Sequence, residues 1–416
     1  MTPSPPASFA VARTDALAPR GEARSIRLDL APEDELCLLL ARLELSVEQD
    51  RRARELLACP LRWGLFLEQA RTHEILPLVS HHLQALGWLG VPEAAAVELQ
   101  EAFRINRLRN ALLAGELARL LSLLTDAGIP VVPLKGIALG AALYGDTALR
   151  VAFDIDLLVP RHAALRTRRL LLTEGYTSPL DEEFFVHYQL PWLNACSLDP
   201  GKRVPCPVDL RWGLLPHSSR DREVTEDLWA EARSTSILGA PSSSLSAEWE
   251  FLFLAVHAAS HGWQMLKWLV DVHQFSIVKP VDWQKMKEKA GRLGLHRAVE
   301  WTLSACSLVL GTAVPGPFVF RALPAGVRLF PAAPAHAGSW QAARFQLYML
   351  DRRADKLRWF AAALLAPSEN EYALLRLPPW LRFLYWPLRL LRLASKWIGL
   401  LLRASVSGMT DKRKNE

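Results

Sequence analysis

Two aspartates stand one residue apart at the start of an apolar run, Asp154-Ile-Asp-Leu-Leu-Val159, which ends at Pro160. In a strand, residues i and i+2 point to the same face, so both carboxylates can grip one divalent cation. A pair of anions abutting so apolar a strand is costly unless it is paired or bound to metal. A second apolar run, Pro207-Val-Asp209-Leu, carries another lone carboxylate between Val208 and Leu210. Three acidic groups on neighbouring strands are what two-metal phosphoryl chemistry requires.

The rest of the chain frames this island. Over residues 31–125 apolar residues recur at three- and four-residue spacing, through Leu36, Leu39, Leu40 and Leu43, then from Trp63, then from Ala111 to Leu124. Pro32 and Pro60 mark helix starts, and Gly128-Ile-Pro130 stops the last helix. Val131–Leu134 is a short apolar run, followed by Lys135-Gly136 and a small-residue helix over Ile137–Tyr144. A basic helix is expected from about Ala163 to Thr173, then strands near Tyr188–Ser197 and Val204–Trp212 joined by a turn at Asp199-Pro-Gly-Lys202. From Ala247, with Ser246 as N-cap, the helical period returns to about Leu365, interrupted by a Pro/Ala/Gly-rich stretch at 313–338.

The expected organisation is a disordered leader (1–30), a helical N-terminal lobe (31–128), an α/β core (129–240), a helical C-terminal lobe (241–375), a basic amphipathic segment (376–408) and a disordered tail (409–416). The leader has no apolar h-region, so it is not read as a signal peptide. Five cysteines without a C-x-x-C pair argue against a disulfide framework or thiolate zinc and for a reducing cytoplasm. Cys196 and Cys206 could face each other across a hairpin, but buried free thiols are the simpler expectation. The net charge of +6 is too diffuse for a nucleic-acid protein, and its excess gathers at the C-terminal end.

Between strand and helix, Lys135-Gly136 is a turn that points backbone N–H groups at an anion. Lys135 and Arg150 could add charge for a triphosphate, unless Arg150 pairs with Asp146 or Asp154. Further on, His257-Ala-Ala-Ser-His261 places two imidazoles on one helical face, and Asp271 follows ten residues later. These three residues are read as an acceptor pocket beside the core, or as a helical His/Asp metal site; no Glu follows His257 as a zincin requires. Arg382, Arg389, Lys396 and Arg403 recur every seven residues through the apolar segment 380–406. Such a helix either lies in an anionic membrane surface or folds onto the core.

These residues resemble the DNA polymerase β-like nucleotidyltransferase superfamily, and within it the bacterial uncharacterised nucleotidyltransferase family. The likeness rests on Leu134-Lys-Gly136, Tyr144-Gly-Asp146 with Arg150, Asp154–Val159, Val208-Asp-Leu-Arg-Trp212, and the helix with His257, His261, Trp263 and Asp271. It extends over most of residues 35–390. The resemblance implies an α+β fold, a small mixed-sheet core flanked by mostly helical lobes. It implies Mg²⁺ or Mn²⁺ held by Asp154, Asp156 and Asp209, and transfer of a nucleoside monophosphate from a nucleoside triphosphate to an acceptor hydroxyl. The nucleotide would be gripped by Lys135, Gly136 and Arg150. A role in polysaccharide or envelope metabolism at the inner membrane face would suit the family and the basic segment, and the rival is a membrane-bound interaction protein that keeps only the scaffold. Two departures stand out: Lys135-Gly136 replaces the superfamily's Gly-Ser, and Arg211 stands where a histidine is expected.

Overall fold

The computed structural model describes residues 30–202, 204–214, 221–331 and 339–395. Five helices come first: α1 (Pro32–Leu40), α2 (Val47–Leu57), α3 (Trp63–Thr72), α4 (Leu76–Ala85) and α5 (Glu93–Asp126). Pro32 sits in the first turn of α1, where a missing N–H costs nothing, and Ser46 and Gln49 close a capping box on α2. The 34 residues of α5 extend about 50 Å at 1.5 Å per residue. Its first half packs on α4 and its second half reaches the sheet.

The sheet has four short strands, β1 (Val132–Leu134), β2 (Ile155–Leu158), β3 (Ala195–Leu198) and β4 (Val208–Arg211), in the order β1-β2-β4-β3. β2 and β4 run parallel, and β1 and β3 are antiparallel to their neighbours. Every residue of β2 is buried, as expected of a central strand covered on both faces. Helix α6 (Gly136–Leu139) runs on into a π-helical turn over Gly140–Tyr144, and α7 (Ala164–Thr173) returns the chain from β2. A mixed α+β fold with a small mixed sheet is therefore what the sequence led us to expect.

The strand expected over Tyr188–Ser197 begins only at Ala195. Residues 182–192 are helical, as α8 (Glu182–Phe184), a π-helical turn and α9 (Leu190–Trp192). Phe184, Phe185 and Tyr188 follow a three- to four-residue spacing, and all three are buried. The second expected strand starts late, at Val208, because Pro205 and Pro207 precede it and cannot donate to a ladder. After α10 (Asp221–Glu231) comes a hairpin, β5 (Arg233–Ile237) and β6 (Ala240–Ser244), that the sequence reading did not foresee. Ser243 N–H donates to the Val131 carbonyl at 2.8 Å, tying this hairpin to the start of β1. Cys196 and Cys206 are buried free thiols.

The C-terminal helices are α11 (Ala247–Ser260), α12 (Leu266–Val278), α13 (Trp283–Leu293), α14 (His296–Leu310), α15 (Ser339–Met349), α16 (Arg353–Leu365) and α17 (Glu369–Leu374). Ser246 caps α11 by position only, since its hydroxyl donates to Glu231 instead. The two helical lobes do not stand apart. Leu36, Phe66 and Val79 share one apolar core with Leu252, Phe275 and Leu303, while the sheet and the second half of α5 build the other.

The segment after Pro378 is a 3₁₀ turn (Pro379–Leu384) followed by helix over residues 385–395; Lys396 and Arg403 lie outside the described residues. The described arginines of the basic stripe turn toward the protein. Arg382 pairs with Asp181 at 2.8 Å and with Glu183, and Arg389 and Arg392 both pair with Glu371, whose side chain is fully buried. Among the described residues no helix is long and apolar enough to cross a membrane.

His73 joins the first helices to α12, accepting from Leu266 N–H at Nδ1 (3.3 Å) while its carbonyl accepts from Lys267 N–H (3.3 Å). Burial pushes its pKa down to about 4. The unfolded chain, with an ordinary histidine near 6.5, takes up a proton first as pH falls, so stability is lost between about pH 6.5 and 4. At about 1.4 kcal/mol per pH unit the loss approaches about 3.5 kcal/mol. Thermal unfolding across that range should show this slope in the wild type and a shallower one in His73→Gln.

Candidate active site

The site is built on one line across the sheet. The register places Leu134 opposite Asp156, Asp156 beside Asp209, and Asp209 opposite Ser197. Asp156 and Asp209 therefore project from the same face of adjacent parallel strands. Asp154 immediately precedes β2. One carboxylate oxygen from each of the three aspartates lies within 4.8 Å of the others.

Their environments differ. The Asp156 side chain is fully buried, whereas those of Asp154 and Asp209 are 34% and 24% exposed. Burial raises the Asp156 pKa, against the pull of Lys135 and Arg211. The Lys135 ammonium contacts Asp156 and lies 3.5 Å from Asp154. Arg211 Nε donates to Asp156 at 2.9 Å, and its Nη2 lies 3.5 Å from Asp209. Ser197 Oγ donates to Asp209 at 2.5 Å. Three carboxylates thus face two cations, which leaves the cluster one negative charge in excess.

Lys135 reaches this position through an unusual backbone. Its φ is 32° and that of Gly136 is 51°, so two successive residues occupy the left-handed half of conformational space. For a non-glycine residue this costs of order 1–3 kcal/mol and persists only where the surroundings enforce it. The surroundings are explicit. Arg150 Nη1 donates to the Gly136 carbonyl at 3.3 Å. A small pocket is lined by Leu134, Lys135, Gly136, Ala138, Asp154 and Asp156.

Arg150 and Asp271, assigned by the sequence to a triphosphate grip and an acceptor pocket, are committed to each other. Arg150 donates from Nε and Nη2 to the two Asp271 oxygens at 2.8 and 2.7 Å, and Tyr144 Oη donates to Asp271 Oδ1 at 2.8 Å. All three are buried. The partner of Arg150 is thus neither Asp146 nor Asp154, and among the described residues Asp271 does not converge with the two histidines into a group that could hold a metal. Asn106 and Asn110 of α5 hold the same loop from the other side, through the carbonyls of Thr147, Ala148 and Arg150.

His257 and His261 do come together, with ring centroids 4.9 Å apart, and both pack on Trp268 at 5.2 and 4.8 Å. His257 is partly buried and His261, at the end of α11, is exposed. Burial holds the His257 pKa well below the ordinary range, and the cations Lys135 and Arg211 act in the same direction. Phe253, one turn earlier on α11, stacks toward His257 and lies under the Arg211 guanidinium at 5.8 Å. Trp263 is a packing residue, buried with its Nε1 on Thr302 at 2.8 Å.

The sequence reading missed Arg211, Ser197 and Phe253 as site residues. Arg211 was within reach of it, since two residues beyond Asp209 a strand returns to the same face. Ser197 needed the β3–β4 register, which depends on where each strand begins.

The model of the uncharacterised nucleotidyltransferase family matches residues 60–311, from α3 through α14. The chain belongs to this family. No curated protein matches the chain. Membership supports a nucleotidyl-transfer role, and the matched span holds all three aspartates, Lys135 and the histidine pair.

The donor set is that of a hard divalent cation: three carboxylates, no thiolate, and oxygen atoms close enough to share an ion. Among the described residues this is the group whose ligand atoms converge for a metal. The buried pair beside it is structural. Arg150→Met strands the Asp271 carboxylate in the interior, where breaking one partner of a buried pair costs about 3–5 kcal/mol. Urea unfolding should show that loss, and much of it should return in Arg150→Met/Asp271→Leu.

Proposed function

We propose that the chain is a metal-dependent nucleotidyltransferase that moves a nucleoside monophosphate from a nucleoside triphosphate to an acceptor hydroxyl, releasing pyrophosphate. The observation that carries this reading is the convergence of Asp154, Asp156 and Asp209 on one face of β2 and β4 in a chain of this family. A bound Mg²⁺ or Mn²⁺ would supply charge stabilisation at the α-phosphate and a more acidic acceptor hydroxyl.

The chain's own residues divide the remaining work. Asp156, buried and flanked by Lys135 and Arg211, is the fixed ligand, and Asp154 is the more exposed one. Asp209, the third carboxylate, takes the acceptor proton, with Ser197 orienting it. Lys135 and the Gly136 backbone line the small pocket beside the carboxylates and grip the triphosphate. Arg150 supports that grip indirectly, by holding the Gly136 carbonyl from its anchored position on Asp271. His257 and His261, with Trp268, wall the acceptor side.

Calorimetry with Mg²⁺ and each common nucleoside triphosphate tests the reading. The wild type should bind at least one of them. Asp154→Asn and Asp156→Asn should weaken binding tenfold or more. Asp209→Asn should bind near normally but lose turnover by about a hundredfold or more, the scale of a lost general base. Wild type that ignores every nucleotide with Mg²⁺ present would leave the scaffold-only alternative.

A further inference from the structure

The C-terminal segment is clamped to the protein on one side only. Arg382 is held by Asp181 and Glu183, and Arg389 by Glu371 and, at 2.6 Å, the Ala363 carbonyl. Tyr385 is wholly buried in an aromatic cluster with Phe184, Tyr188 and Tyr372. The side chains between these anchors point outward. Trp380 is 74% exposed, Phe383 64% and Leu391 68%, with Trp386 and Leu390 between them. The spacing is that of one side of a helical segment. The bond from Arg389 to Ala363 brings the end of α16 alongside, where Phe360 and Leu364 are exposed too.

Single exposed apolar residues are ordinary, but tryptophan, phenylalanine and leucine gathered on one side of an anchored element mark a binding surface. Charge identifies the occupant. Leaving aside the three arginines paired with Asp181, Glu183 and Glu371, residues 376–416 still hold six lysines and arginines against two acids. An apolar face rich in tryptophan, inside the most cationic part of a sequence, has the chemistry of a boundary between anionic headgroups and acyl chains.

We propose that the outward face of residues 380–391 docks on an anionic lipid surface, with Trp380, Phe383 and Leu391 entering it. Arg382, Arg389 and Arg392 hold the segment in place from behind and do not themselves meet the lipid. This reverses the face that the basic stripe had pointed to, and it does not depend on the nucleotidyl-transfer reading.

Co-sedimentation of the full chain with vesicles tests it, using phosphatidylcholine alone and phosphatidylcholine mixed with phosphatidylglycerol. The wild type should partition onto the mixed vesicles and much less onto the neutral ones. Trp380→Ser/Phe383→Ser/Leu391→Ser should lower that partitioning at least tenfold while its thermal midpoint stays near wild type, because the side chains are exposed. The proposal fails if the variant binds as the wild type does, or if neutral vesicles bind equally well. It also fails if the wild type ignores both vesicles and forms a dimer that the variant abolishes, since the face would then belong to a second copy of this chain.

Discussion

The Asp156 carboxylate is the point on which the site's architecture turns. It is fully buried on a central strand, where an unpaired anion would cost several kcal/mol. Lys135 and Arg211 answer it from opposite sides, one from the end of β1 and the other from β4. Holding Lys135 there requires a strained backbone, and the strain is contained by a loop that both helical regions secure. α5 supplies Asn106 and Asn110, and α12 supplies Asp271 through Arg150. The long helices are therefore part of the site's construction, although only the sheet carries its carboxylates.

The same arrangement gives a place to the two residues at which the chain departs from the resemblance noted in its sequence. Where the resemblance led us to expect Gly-Ser, the chain has Lys135-Gly136, and the lysine ammonium contacts Asp156 and lies 3.5 Å from Asp154. Where a histidine is expected, Arg211 spans Asp156 and Asp209 and rests on Phe253. The histidines sit instead on α11, where burial holds the His257 pKa well below the ordinary range. Under the proposed reading, the cations serve the nucleotide's phosphates and the histidine pair serves the acceptor.

Much of this was legible in the sequence because it is periodic or local. The apolar runs put the aspartates on neighbouring strands, the strand register then sets Asp156 beside Asp209, and helical spacing placed His257 beside His261. What escaped was set by distant partners. Arg150 and Asp271 are 121 residues apart, and each looks available when read alone. The helical turns before β3 were mistaken for strand because Tyr188-Gln-Leu-Pro-Trp192 is apolar enough for either; its partners Tyr372 and Tyr385 decide the matter. The C-terminal arginines showed a stripe, but a period does not say which side meets the protein. Asp181, Glu183 and Glu371 settle that.

On the proposed reading, Asp154, Asp156 and Asp209 form a divalent-metal site. Anomalous scattering from crystals soaked with Mn²⁺ and a non-hydrolysable nucleoside triphosphate analogue tests it most directly. A manganese peak is expected within about 2.0–2.4 Å of oxygens from these aspartates, the range of hard-cation ligation. A peak bound by His257 and His261, or no peak at the three carboxylates at saturating Mn²⁺, would contradict it.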